Sequence, residues 1–412
     1  MTPGPATTRG ASNVSGKTIG YILGQFPSLT ETFILREIRE LARQGVALRI
    51  FSLRKPASRF ASLPPALQDV EVHYAPTKFA GRFWVAAAHR ALLAGRGSPT
   101  VAAASQAWLP LLRAHPEICH LHAHFANEPS LTSMALSRAT GLPFSFSAHA
   151  WDIYCSDAPL RQLIQEASFV TTCTQMNVDH LRLVCRQNDV NRINLVRHGL
   201  DLSDFPRPVT SRSGQRRDPQ SPFRCVAIGR LIDKKGFGTL ITAMASLREM
   251  SLHVECAIIG EGSQRMLLEE LVVAAGVQDC VHFRGALLHS DAIDQLRQAD
   301  ALIVPSVVTP EGDRDGLPNV ILEAAALGIP IIASDLPGIR EFVDHRDTGL
   351  VTASGDVESL AQAIRALLEE DDTMTEQLRH NARRKIETEY DISQNIRPLV
   401  ERFTHSMEQE GT

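Results

Sequence analysis

The sequence predicts an α/β protein of two Rossmann-like domains that face each other across a cleft. Three observations predict it. Strand-like and helix-like segments alternate from residue 17 onward, which favours parallel sheets with helices on both faces. A polar, turn-rich stretch at 206–222 interrupts the alternation, and a second alternation follows it. The chain has 412 residues. That is too long for one ordinary core and suits two domains of about 200 residues each.

In the first domain, 17–200, Lys17–Gly24 reads as a buried first strand. Ser28 and Glu31 have the spacing of a capping box. Ile34, Ile38 and Leu41 follow at helical spacing, and Gly45 supplies a stop. Val46–Leu53 is the next strand. Residues 54–115 carry a weaker pattern, with a helix expected over Phe79–Leu93. Strand Ile118–His122, helix Ser130–Ala139, strand Leu142–Ser147, helix Ala158–Glu166 and strand Ser168–Cys173 complete the series.

A linker spans 201–222, and the second domain 223–392. Strand Arg224–Ile228 precedes helix Phe237–Leu247, and strand His253–Ile259 leads to helix Ser263–Ala275. Strand Val281–Phe283, helix Asp291–Gln298 and strand Ala301–Val304 follow. Helix Pro318–Leu327 has proline at its start and Gly328 at its end, the usual helix punctuation. Strand Pro330–Ser334 comes next. The last helix, about 393–408, is expected to pack back on the first domain.

Composition narrows the function. Apolar residues make up 44% of the chain, enough for a sizeable core, and the net charge of -4 argues against a nucleic-acid binder. Seven cysteines, an odd number without a Cys-x-x-Cys pair, point to reduced thiols in a reducing compartment, the cytoplasm. Residues 1–16 are polar and small and lack an apolar signal core, so a disordered tail is expected there. With no run of 18 apolar residues, membrane contact would be peripheral.

Ligands of open α/β sheets sit beyond the carboxyl ends of the strands. Arg230 follows Arg224–Ile228 behind Gly229, and Lys235 stands just before the next helix. Such a pair can clamp a diphosphate, Arg230 as a bidentate fork and Lys235 as a point charge. A solvated basic turn is the other reading. Asp315, Gly316 and Leu317 lead into the helix that carries Glu323. Residues eight apart lie about 12 Å apart on a continuous helix, but Asp315 precedes the helix and can turn to the ligand. The amides of Gly316 and Leu317 suit a phosphate or a sugar hydroxyl. Glu323 stands among apolar residues, where a carboxylate needs a partner, and ribose hydroxyls would serve. An exposed helix stripe is the alternative. His149 ends a strand with Asp152 close behind, well placed to touch a sugar, although a lone histidine is often structural. His122 and His124 find no third ligand in the sequence to complete a metal site. Gly260-Glu261-Gly262 is a fragment of a dinucleotide fingerprint, and no such fingerprint follows the first strand, where Gly24 stands; this argues against a plain NAD enzyme.

At these residues the chain resembles the GT-B retaining glycosyltransferases often called family 4, or glycosyltransferase group 1, and among them the bacterial exopolysaccharide, colanic-acid-like members. The resemblance rests on Phe26-Pro-Ser-Leu-Thr-Glu-Thr-Phe-Ile, His122-Ala-His-Phe-Ala, Ser147-Ala-His-Ala-Trp-Asp-Ile-Tyr, Gly229-Arg230-Leu, Lys234-Lys-Gly-Phe, Gly260-Glu-Gly and Asp315-Gly-Leu-Pro-Asn-Val-Ile-Leu-Glu323. It implies a hexosyltransferase that needs no metal or other cofactor. Arg230 and Lys235 would bind the donor diphosphate, and Glu323 the ribose. Asp315 would contact the donor sugar where the family carries the first glutamate of its E-x7-E motif, one methylene longer. Arg284 and Gly285 would meet the base, His149 the transferred sugar, and Gly24 would let its loop approach the phosphates. Gly260 and Glu261 would belong to the donor side. The implied partners are a UDP- or GDP-sugar and a saccharide or lipid-linked acceptor in surface polysaccharide synthesis.

Two other readings remain at this stage. A sugar-nucleotide epimerase would need paired acid/base groups near the sugar, and a noncatalytic sugar-nucleotide binder would need only the site. Lys78, Arg82, His89, Arg90 and Arg96 interleave with Phe79, Phe83, Trp84, Leu92 and Leu93, a pattern that suits contact with an anionic membrane at the inner face, or an ordinary packed helix with a basic outer face.

Overall fold

A computed structural model of the chain describes residues 16–28, 31–56, 67–76, 98–206, 221–369 and 372–409. The expected tail, the expected helix Phe79–Leu93 with its basic and aromatic residues, and most of the 206–222 break lie outside these.

The first sheet has seven parallel strands: β1 (Thr18–Gln25), β2 (Ala47–Arg54), β3 (Val72–Tyr74), β4 (Ile118–His124), β5 (Phe144–Ala148), β6 (Phe169–Thr172) and β7 (Ile193–Leu195), in the order β3-β2-β1-β4-β5-β6-β7. Helix α1 (Thr32–Arg43) covers one face. Helices α2 (Pro99–Ala114), α3 (Glu128–Thr140) and α5 (Leu160–Glu166) cover the other. The short α4 (Ala150–Tyr154) follows β5, and α6 (Gln175–Val184) follows β6. Strands β4 and β5 are buried at every position, as expected of strands with helices on both faces.

The second sheet has six parallel strands: β8 (Phe223–Ile228), β9 (Val254–Ile259), β10 (Val281–Gly285), β11 (Ala301–Val304), β12 (Ile331–Ser334) and β13 (Leu350–Thr352), in the order β10-β9-β8-β11-β12-β13. Helices α7 (Phe237–Glu249), α8 (Arg265–Ala274) and α12 (Val357–Glu369) pack on one face. Helices α9 (His289–Gln298), α10 (Asn319–Leu327), α11 (Pro337–Arg340) and α13 (Asp372–Glu389) lie on the other.

After α13 the chain crosses back through α14 (Ile392–Asn395) into α15 (Arg397–Gln409). Ile396, Leu399 and Phe403 sit in the same core as Ile19, Tyr21 and Leu23 of β1, and the Phe403 ring lies 5.2 Å from that of His122. The two crossings of the chain touch: Leu200 N–H donates to Tyr390 O at 2.8 Å, and Ile392 N–H to Leu200 O at 3.1 Å.

Local readings needed correction in three places. Glu31 is the residue that precedes α1, which starts at Thr32, so the capping box expected from Ser28 does not form with Glu31 inside the helix. Pro318 likewise precedes α10 rather than opening it. In the weakly patterned stretch, β3 and α2 are present; α2 is mostly alanine and leucine and carries Pro110 inside it, which blurs its period.

Candidate active site

In each sheet the strand order reverses once, between β1 and β4 and between β8 and β11. Such reversals open a crevice at the carboxyl edge. The loops beyond these edges meet across the two domains. The Arg314 guanidinium lies over the Tyr154 ring at 4.8 Å, and Met176 N–H donates to Glu341 at 3.0 Å. Glu31, in the loop after β1, is electrostatically coupled to Arg230, in the loop after β8. Of the predicted site residues, Arg230, Gly316 and Glu323 face first-domain residues along this seam.

On the second-domain side, a tight turn at Asp233–Lys235 brings both lysines back towards the loop after β11. Lys235 Nζ donates to Asp315 Oδ2 at 2.8 Å, and Lys234 Nζ to Asp313 Oδ1 at 2.8 Å. The Ser306 hydroxyl donates to the same Asp315 oxygen at 2.6 Å. Burial alone would raise the Asp315 carboxyl, but the charges of Lys235 and Lys234 and the bonds from Lys235 and Ser306 more than offset it and hold the group below its ordinary value. Asp315 is therefore an anion in a buried, basic setting. Arg230 is exposed. Lys235 and Arg230 together present cations at the seam that a diphosphate would match.

The backbone beneath this group is closely packed. A Cβ at Gly260 would fall 1.8 Å from the Gly229 carbonyl oxygen, and its φ is +143°, so only glycine fits where the loops after β8 and β9 touch. Glu261 is exposed and accepts from Arg265 at 3.1 Å, and Arg284 is exposed at the end of β10 beside Gly285. Gly316 faces Thr174 of the first domain, where a Cβ would come to 3.7 Å, and Leu317 is half-buried next to the α10 core. Among the described residues, a Cβ at Gly24 would meet only Arg54 Nη1, at 3.9 Å.

Glu323 is buried on α10 rather than lying on an exposed stripe. It forms an ion pair with Arg36 Nη2 from α1 of the other domain, and His289 Nε2 lies 3.0 Å from the same oxygen, Oε1. Burial would raise this carboxyl, but the His289 bond and the Arg36 charge outweigh it and lower it. Sequence reasoning missed both partners. Arg36 looks like part of the polar face of α1, and His289 like an ordinary first-turn residue; nothing in their spacing relates them to Glu323.

On the first-domain side, residues of β1, α1, the end of β4 and the turn after β5 build a buried polar chain. The Tyr21 hydroxyl donates to Glu37 Oε1 at 2.8 Å, His124 Nε2 lies 2.7 Å from the same oxygen, and His124 Nδ1 lies 3.3 Å from His149 Nε2. Burial tends to raise Glu37, but His124 and Tyr21 more than compensate and hold it as a carboxylate. His124 therefore presents Nε2–H to it. Burial, together with the neighbouring His124 and His198, holds His149 well below its ordinary value, so it is neutral. The backbone N–H of His149 donates to Asp152 at 2.9 Å, which fixes the turn into α4. Burial pushes Asp152 up to about 7 despite the amides it accepts from.

The fold supplies ligand geometry that the sequence did not reveal. Glu37 joins His122 and His124, and Cys173 and His198 join His149, with potential ligand atoms within 4.8 Å of one another in each group. In the first group the side chains already have hydrogen-bond partners: His122 bonds Ser145 and Ser147, and His124 bonds Glu37 and His149. The arrangement reads as a hydrogen-bonded framework under His149.

Residues 212–385 match the family described as glycosyl transferases group 1. The amylovoran biosynthesis glycosyltransferase AmsK of Erwinia amylovora is 29% identical over 220 residues, 53% of this chain and 52% of AmsK. WcaL of Escherichia coli K12, named for colanic acid biosynthesis, is 25% identical over 92% of this chain and 97% of its own. The chain thus spans about half of the first of these relatives and nearly all of the second. Among solved structures, Anabaena HepE in complex with UDP and glucose superposes with a TM-score of 0.72 at 19% identity, covering 94% of this chain and 99% of HepE; at that identity the likeness speaks for the two-domain fold.

Proposed function

We propose, because residues 212–385 match the glycosyl transferases group 1 family and the two parallel-sheet domains form the GT-B fold, that the seam between them is the active site of a retaining, metal-independent transferase that uses a UDP-sugar. The observation that carries this reading is the placement of Arg230, Lys235, Asp315 and Glu323 on one seam, at the reversal of the second sheet. Relatives named for amylovoran and colanic acid biosynthesis, and a fold neighbour captured with UDP and glucose, support a nucleotide-sugar donor and a saccharide acceptor in surface polysaccharide synthesis. We take the acceptor to be lipid-linked and presented at the cytoplasmic face of the membrane. GDP is the second choice of nucleotide.

In this reading Glu323 accepts from the ribose hydroxyls, and Arg230 and Lys235 neutralise the diphosphate as it leaves. Asp315 gives up part of its bond to Lys235 and turns to a sugar hydroxyl. The main-chain groups of Arg284 and Gly285 edge the base, and the loops at Gly24 and Gly260 admit the phosphates. The C1–O bond to the diphosphate breaks through an oxocarbenium-like state. The acceptor oxygen bonds C1 from the same face, and its proton passes to the departing phosphate oxygen. With the donor bound, the cations of Arg230 and Lys235 stabilise that leaving charge, so the proposed chemistry does not require a metal ion. His149 lines the sugar as a neutral group held by the framework beneath it.

Transfer is tested by incubating the protein with UDP- and GDP-sugars in EDTA and following nucleotide release with candidate acceptors. The reading expects release from one nucleotide class and a product with the donor's anomeric configuration. Inverted product, or an absolute need for divalent metal, would overturn the mechanism. Interconversion of the donor sugar without an acceptor would favour an epimerase.

A further inference from the structure

Arg36 belongs to the first domain, yet it is buried against Glu323 of the second. Three features of its surroundings go beyond a simple counterion. Arg36 Nη2 and His289 Nε2 both address Oε1 of Glu323, which leaves Oε2 without a bonded partner among the described residues. Arg36 Nη2 also lies 3.1 Å from His289 Nε2, so the carboxylate and the imidazole both crowd this one arm of the guanidinium. The other terminal nitrogen, Nη1, is buried and has no hydrogen-bond partner among the described residues.

A buried N–H of a charged group left unpaired is costly, and native proteins rarely retain one without a reason. A residue needed only to neutralise Glu323 would need one contact, which an ammonium supplies. The guanidinium instead holds one arm on the carboxylate and a second, unsatisfied arm beside it. An unpaired donor next to a carboxylate with an unpaired oxygen matches a hydroxyl, which can accept from the first and donate to the second.

We propose that Arg36 is a donor-site residue contributed by the first domain: Nη2 pins Glu323 so that Oε2 faces the nucleotide ribose, and Nη1 donates to a ribose hydroxyl. This rests on the assignment of Glu323 to the ribose. It makes the ribose contact two-sided, with the carboxylate from one domain and the guanidinium from the other. Donor binding is thereby coupled to the approach of the two domains. Arg36 is a binding residue, and the transferred sugar is outside its reach in this scheme.

The test is calorimetric binding of UDP and of 2′,3′-dideoxy-UDP to wild type, Arg36→Ala and Arg36→Lys, with GDP and its dideoxy form used if the wild type prefers guanine. The wild type should favour UDP over the dideoxy form. Arg36→Ala should lose about tenfold or more in UDP affinity, as expected for a charge-assisted bond, and little for the dideoxy nucleotide. Arg36→Lys keeps a cation on the buried carboxylate and so guards against misfolding, but lacks the second arm; it should lose the same preference for the hydroxylated ribose. Equal losses for both nucleotides would make the role structural and overturn the proposal. Unchanged or tighter UDP binding in both variants would overturn it as well. A wild type that binds neither nucleotide would instead remove the assignment of the seam as a donor site.

Discussion

Lys235 Nζ lies 2.8 Å from Asp315 Oδ2, so the cation assigned to the donor diphosphate is already neutralised by the carboxylate assigned to the donor sugar. The site is thus preorganised by its own ion pair. Under the proposed mechanism, donor binding would exchange that partner for phosphate oxygens and free the carboxylate for a hydroxyl. Lys235→Ala should lower kcat by about a hundredfold, the scale seen when one transition-state charge contact is removed. Asp315→Ala should lower activity while leaving UDP binding close to wild type. Steady-state kinetics beside nucleotide titration separates the two.

The framework beneath His149 predicts a stability effect. Glu37→Ala would leave the Tyr21 hydroxyl and His124 Nε2–H buried without their shared acceptor. The expected loss is about 1–3 kcal/mol for each stranded group. Denaturant unfolding would show a lowered midpoint; an unchanged midpoint would mean that water or a shifted side chain replaces the carboxylate.

Asp152 predicts a pH dependence. Its carboxyl titrates near 7 in the folded protein against an ordinary value of 3.8. Between those values the unfolded chain has released a proton that the native protein keeps. The unfolded state then binds fewer protons, so this group makes stability fall as pH rises from about 4 to about 7, with no further change above. The Asp152→Asn variant should lack that slope. Unfolding curves across the range, wild type against variant, would give identical slopes if the account were wrong.

Gly260 predicts a steric failure. A methyl group there would enter the Gly229 carbonyl, so Gly260→Ala should cost about 3 kcal/mol and displace the loop bearing Arg230. Reduced thermal stability together with weakened UDP binding is expected. A variant that keeps wild-type values of both would show that the loops separate freely.

Much of the fold was legible because its signals are local. Alternation marked most of the strands, and the placement of Gly328 and of Pro318 marked the limits of α10 within one residue. What stayed hidden is non-local. Arg36 and Glu323 are 287 residues apart, and Tyr21, Glu37, His124 and His149 come from four separate segments. No spacing rule relates such residues; only the stacking of β1, β4 and β5 under α1 does. The buried polar face of α1 also defeated pattern reading, because Arg36, Glu37 and Glu40 are charged residues that a periodicity argument assigns to solvent.

The most direct test of the central claim is calorimetric titration of UDP and GDP in EDTA into wild type, Glu323→Ala and Arg230→Ala. The account predicts one bound nucleotide per chain in the wild type and a loss of about tenfold or more in each variant, the scale of a charge-assisted contact. Absence of binding to either nucleotide, or binding that neither substitution weakens, would contradict it.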